Sequence, residues 1–139
     1  MLFVGTHERQ LDDKGRLALP APFRAHLGEH CYLVFGDSKC INVVPAEVFE
    51  TMAEQLMARV ERGELTMQRQ RAVSSSASLV TVDKQGRVSI DDKLRDYAGL
   101  TTESRVVVTG NFKMIEIWSP ERFERIRDAG TSDLAGDDR

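Results

Sequence analysis

The stretch Leu11-Asp12-Asp13-Lys14-Gly15-Arg16-Leu17-Ala18-Leu19 returns 71 residues later as Val82-Asp83-Lys84-Gln85-Gly86-Arg87-Val88-Ser89-Ile90. The correspondence continues through Phe23-Arg24 against Leu94-Arg95 to Gly28 against Gly99. Further on, at an offset of 74, Tyr32-Leu33-Val34-Phe35-Gly36 aligns with Val106-Val107-Val108-Thr109-Gly110, then Lys39-Cys40-Ile41 with Lys113-Met114-Ile115, and Glu47-Val48-Phe49 with Glu121-Arg122-Phe123. Self-similarity at a long, constant period marks a tandem duplication, so whatever unit the first copy builds is built twice.

Each copy reads as a strand, a glycine-containing turn inside Asp-x-x-x-Arg, a second strand, a short helix, a second hairpin and a closing helix. Three residues including Gly15 or Gly86 join the first two strands, which suits a hairpin with glycine at a positive φ. The second hairpin is expected to turn at Gly36-Asp37-Ser38-Lys39 in one copy and at Gly110-Asn111 in the other. Phe49, Met52, Ala53, Leu56, Met57 and Val60 recur at helical spacing, and Gly63 is the natural stop. In the second copy Ser119-Pro120-Glu121 supplies a cap, a first-turn proline and an acidic residue suited to the helix dipole, with Gly130 expected to end the helix.

The polar stretch from Glu64 to Ser78 reads as a short helix followed by a loop. The organisation expected is a first repeat over 1–63, a linker over 64–76, a second repeat over 77–130 and a disordered acidic tail over 131–139. A unit of about 60 residues buries only a marginal core alone, so the copies should pack face to face. The fold class is α+β, mainly β: two pseudo-symmetric units in one β barrel-like body with flanking helices.

Composition narrows the function. The chain has 139 residues, 41% hydrophobic and 29% charged, as in ordinary globular proteins. Its apolar runs fall far short of the ~20 residues that span a bilayer, and Met1 to Gly5 lacks the basic flank of a signal peptide, so no membrane association and a cytoplasmic location are expected. Cys31 and Cys40 sit in strand-like apolar runs and read as reduced core residues. His26, His30 and Cys31 lack a fourth ligand nearby, and neither a metal nor a cofactor is expected. The net charge of −3 is carried entirely by residues 128–139, where Asp128, Asp133, Asp137 and Asp138 face Arg139 alone. A nucleic-acid footprint must therefore come from local clustering of Lys and Arg.

The repeated turn offers that clustering. Asp12 and Arg16, like Asp83 and Arg87, end up opposite each other at the mouth of the turn, where the carboxylate can hold the guanidinium outward. Arginine matches guanine O6 and N7 in the major groove, and a two-stranded ribbon is narrow enough to enter it. Lys14 and Lys84 can meet phosphate, and the peptide groups at Gly15 and Gly86 have no side chain to block an approach to the DNA backbone. Arg24 and Arg95 also match between copies, and each is read as pairing or capping locally.

The string from Leu11 to Pro20 with Phe23-Arg24, the Asp83-to-Arg87 turn, Tyr97-Ala98-Gly99-Leu100 and Phe112-Lys113-Met114-Ile115-Glu116-Ile117-Trp118 together resemble the MraZ family, over about residues 1 to 127. The resemblance implies two SpoVT-AbrB-type swapped-hairpin units in one chain, assembled into a ring-shaped homo-oligomer. It also implies a nucleoid-associated regulator of transcription of the division and cell-wall gene cluster, bound to promoter direct repeats in double-stranded DNA. Carried over by position, the DNA-facing set is Lys14, Gly15, Arg16, Lys84, Gly86 and Arg87, with Asp12 and Asp83 in support. The chain departs from internal symmetry at Asp91, which stands where the first copy has Pro20.

No Ser/His/Asp order, metal spacing or glycine-rich phosphate loop points to an enzyme. Each candidate carboxylate has an arginine partner that would make it a poor proton donor. The alternative is a ring-forming protein-interaction module that does not read DNA.

Overall fold

The computed structural model describes residues 1–136. The elements run β1 (Thr6–Gln10), β2 (Arg16–Ala18), α1 (Ala21–Leu27), β3 (His30–Phe35), β4 (Ile41–Pro45), α2 (Ala46–Glu61), α3 (Met67–Ser76), β5 (Ser78–Thr81), β6 (Arg87–Ser89), α4 (Asp92–Ala98), β7 (Arg105–Asn111), β8 (Met114–Trp118) and α5 (Pro120–Ala135). The class is α+β and mainly sheet, with the element order repeated. The barrel-like expectation is corrected: the main sheet is open, six strands in the order β1-β7-β8-β4-β3-β5, and a separate two-stranded ribbon joins β2 to β6.

The repeats are interleaved. Edge strand β1 of the first repeat pairs with β7 of the second, and edge strand β5 of the second pairs with β3 of the first. At the centre β4 meets β8 antiparallel, with Asn42 opposite Glu116, and in the ribbon Leu17 lies opposite Val88. Both pairs are equivalent positions of the repeats, so one pseudo-two-fold axis passes through both sheets. The local hairpin reading is corrected here too. Asp12 N–H bonds Arg16 O at 3.0 Å and closes the turn, but β1 and β2 then diverge to separate partners in the other repeat.

One core serves both halves. Leu11, Leu17, Phe23, Leu33 and Ile41 from the first repeat join Val88, Ile90, Leu94, Val108 and Ile117 from the second, all at most 2% exposed. Tyr97 of α4 stacks on Phe35 at 3.9 Å and its hydroxyl donates to Gly36 O at 2.6 Å, a further tie between repeats. Cys31 and Cys40 are free and buried. Burial pushes the Cys31 thiol up to about 11 and raises that of Cys40 further, so both stay protonated in the core.

Three local readings change. Residues 67–76 form the expected helix, α3, capped by Thr66, but it runs to within one residue of β5, where a loop was expected to follow it. Ser76 is tolerated in the helix because its hydroxyl is satisfied: it accepts from Phe35 N–H at 3.2 Å and donates to Val73 O at 3.1 Å. The second hairpin of repeat two turns at Phe112-Lys113, since Gly110 still pairs with Ile115 in the ladder while the backbone of Phe3 and Val4 crosses over it. Finally, α5 continues through Gly130 to Ala135, where disorder was expected from 131 onward. An interior glycine costs a helix only about 1 kcal/mol, and Gly136, in the left-handed region, provides the stop. The remainder of that tail, 137–139, lies outside the described residues.

Candidate nucleic-acid interface

The ribbon of β2 and β6 places the two turns side by side. Alternation sends Leu17 and Val88 into the core and leaves Arg16, Ala18, Arg87 and Ser89 on the outer face. The register sets Arg16 opposite Ser89 and Arg87 opposite Ala18, so the arginines lie diagonally across the ribbon.

Each aspartate does more than pair with its arginine. Asp12 Oδ1 accepts the backbone N–H of Lys14 at 3.0 Å and of Arg16 at 2.8 Å, while Oδ2 accepts Arg16 Nε–H at 2.6 Å. Asp83 repeats the pattern with Gln85 N at 2.9 Å, Arg87 N at 2.8 Å and Arg87 Nε at 2.9 Å. A short acceptor that bonds the backbone two and four residues on is what closes such a turn. The Arg16 backbone N–H is the main cause holding the Asp12 carboxyl below the usual carboxylate range, and Arg87 N–H does the same for Asp83. Both carboxylates are therefore ionised at neutral pH, as a support for a cation requires.

In each pair it is Nε that bonds the aspartate, not the two terminal amino groups of the guanidinium. Among the described residues no hydrogen bond engages those groups of Arg16. The side chains of Arg16 and Arg87 are 29% and 28% exposed, so they are held against the turn and still open on one side. Arg87 Nη1 also lies 4.0 Å from Asp12 Oδ2, which links the two pairs across the ribbon. Lys14 and Lys84 are exposed beside them.

Gly15 and Gly86 are placed differently from the sequence expectation. Both are buried, with φ of 75° and 77°, and their N–H groups are spent on Asp12 O at 3.1 Å and Asp83 O at 2.9 Å. Neither peptide group is open to a phosphate; the glycines shape the turns. What covers them are Arg24 and Arg95, which sequence reasoning assigned to local pairing. Arg24 reaches the other repeat, donating from Nη2 to Lys84 O at 3.0 Å and lying over Gly86. Arg95 lies over Gly15 while bonding Ile90 O and Asp92 of its own repeat. The match between copies was the available signal, but nothing local says that an arginine will act 60 residues away.

The Pro20-to-Asp91 difference is a matter of capping. Asp91 Oδ1 accepts Leu94 N–H at 2.9 Å to start α4, whereas α1 begins after Pro20 with no side-chain cap. Among the described residues no group of three or more His, Cys, Asp or Glu is arranged to hold a metal ion, and no helix is long and apolar enough to cross a membrane.

The family model described as "MraZ protein, putative antitoxin-like" matches residues 2–71 and again 74–135, the two repeats in turn. A protein of Roseiflexus sp. named transcriptional regulator MraZ is 38% identical over 128 residues, 92% of this chain and 88% of its own length. Proteins of the same name from Saccharopolyspora erythraea and Salinispora arenicola are 40% and 39% identical over 134 residues, 96% of this chain and 92% and 93% of theirs. With both repeats matched and the relatives aligned nearly end to end, this chain belongs to the MraZ family.

Proposed function

We propose that this protein is a DNA-binding transcriptional regulator that reads base sequence with Arg16 and Arg87, working in the cytoplasm at the nucleoid. The observation that carries the reading is the paired turn: two guanidinium groups on one face of a two-stranded ribbon, each bonded to an aspartate through Nε, with amino groups that make no hydrogen bond among the described residues. Such a fork presents two parallel donors to guanine O6 and N7. Lys14 and Lys84 supply phosphate contacts, while Asp12 and Asp83 hold the turns. The name shared by the relatives supports the regulatory role, and it is not that of an enzyme class.

Two arginines per chain make a small contact set, so useful affinity needs several chains on one DNA segment. A closed ring repeats one surface in a single rotational sense, which matches direct repeats in a promoter and not a palindrome. On the family's terms that promoter precedes the division and cell-wall genes. Repeats about 10 base pairs apart would present every motif on the same side of the duplex.

The test is a binding titration on the DNA upstream of the protein's own gene, using wild type, Arg16→Ala and Arg87→Ala. Loss of a bidentate base contact should weaken specific binding by about 1 to 3 kcal/mol with the fold retained by circular dichroism. Inserting five base pairs between repeats should weaken it more than altering one repeat. Full affinity in a folded double variant would remove the turns from the site. A well-formed oligomer that binds no DNA at all would favour the interaction-module alternative.

A further inference from the structure

We infer that Arg24 and Arg95 are positioning residues that act across the duplication, each shaping the DNA-facing turn of the repeat to which it does not belong. The consequence for DNA rests on the reading of the turns given above; the brace itself does not. The geometry starts with the ribbon. Leu19 N–H bonds Gly86 O at 2.9 Å and Ile90 N–H bonds Gly15 O at 3.0 Å, so each glycine lies beside the strand end that leads into the opposite repeat's short helix. Arg24 of α1 and Arg95 of α4 follow those strand ends and therefore arrive above Gly86 and Gly15.

The approach is close. A β-carbon placed on Gly86 would fall 2.6 Å from Arg24 Nη1 and 2.7 Å from its Cδ and Cζ; one placed on Gly15 would fall 3.0 Å from Arg95 Cζ and 3.1 Å from Ile90 O. Each arginine thus covers a bare peptide that the sequence alone leaves open. Arg24 adds a direct tie, since Lys84 O accepts its Nη2–H at 3.0 Å and Lys84 is one of the two residues between Asp83 and Gly86. Arg95 works through Ile90, taking the carbonyl of the residue whose N–H already holds Gly15 O. Its side chain is 15% exposed and also paired with Asp92, whereas Arg24 is exposed.

The arrangement couples the two reading heads. Planarity matters, because a flat guanidinium can lie on a peptide and still donate in its plane, which a lysine ammonium does not reproduce. A guanidinium that only touched phosphate would behave otherwise: lysine would replace it, and its loss would flatten the salt dependence of binding.

The experiment uses the full-length chain with Arg24→Ala, Arg24→Lys and Arg95→Ala, each checked by thermal melt, with Arg87→Ala and Arg16→Ala as references. Backbone amide exchange is followed at Gly86 and Gly15 by NMR without DNA, and base preference is then measured by selection from a random-sequence duplex pool. Arg24→Ala should raise exchange at Gly86 about fivefold and leave Gly15 unchanged. It should also erode the base preferences that Arg87→Ala erases, with Arg24→Lys recovering less than half of the loss. Arg95→Ala should do the converse at Gly15, and should its buried position cost the fold, the Arg24 pair decides alone. Unchanged exchange at Gly86, or full rescue by lysine with a reduced salt slope, would overturn the inference. A wild-type protein that selects no sequence would defeat the DNA reading, while the amide result still decides the brace.

Discussion

The two repeats agree at the Asp-to-Arg turns and differ in the helices around them. The turns Asp12–Arg16 and Asp83–Arg87 carry the same set of bonds, although the residues between aspartate and glycine are Asp13-Lys14 in one and Lys84-Gln85 in the other. Around them the repeats part. The first has α2 and α3 over its side of the sheet, with Phe49 of α2 stacked on Tyr32 at 4.2 Å; the second has α5 alone, whose residues beyond Phe123 are almost all exposed. The start of the short helix is bare in one repeat and capped in the other. The bonds that close each turn are the same in both copies, while the start of the short helix and the helices beside the sheet are not.

The most severe way to break the equivalence is through the ribbon itself. Leu17 and Val88 are register partners with 0% and 1% exposure, and their removal leaves a cavity shared by both halves. Leu17→Ala should cost about 3 kcal/mol and Val88→Ala about 2. In both variants thermal unfolding should remain a single transition by circular dichroism and tyrosine fluorescence, because neither repeat retains a core of its own. Two separated transitions would contradict the interleaved core.

Next come the glycines. Gly15→Ala and Gly86→Ala each place a β-carbon at positive φ and against an arginine, so denaturant titration should show losses of about 2 kcal/mol. The Gly86 variant should be the milder, since exposed Arg24 can move aside more freely than Arg95.

A smaller effect separates the helix starts. Asp91→Ala should cost about 1 kcal/mol by loss of the cap on α4. Pro20→Ala has no such bond to lose, so its cost should be under half of that.

The smallest difference concerns pH. Asp12 and Asp83 have folded-state pKa values below those of the unfolded chain, so they stabilise the fold above the usual carboxylate range, near ~3.9. That contribution is lost as pH falls through the lowered folded values. Asp12→Asn and Asp83→Asn should therefore each flatten the acid limb of a stability profile, by similar amounts. A marked inequality would mean that the 4.0 Å approach of Arg87 to Asp12 adds to one pair and not the other.

From the sequence alone came the duplication, the α+β class, the apolar stripe of α2, the caps at Ser119 and the Asp-to-Arg contact at both turns. Each depends on residues within a few positions of one another, where chain connectivity already limits the geometry. The period-2 pattern likewise told which faces of β2 and β6 are apolar. It did not tell which strands they join, since alternation specifies a face and never a partner. Only the tertiary structure decided that β1 and β2 leave their turn for strands of the other repeat, and that the sheet stays open. It alone decided that α3 lies against β3 through Ser76, and that Gly15 and Gly86 lie buried beneath arginines from across the pseudo-two-fold axis. The physical reason is common to all of these: the contacts join residues distant in sequence, and they form only when the two halves close on one core that neither can bury alone.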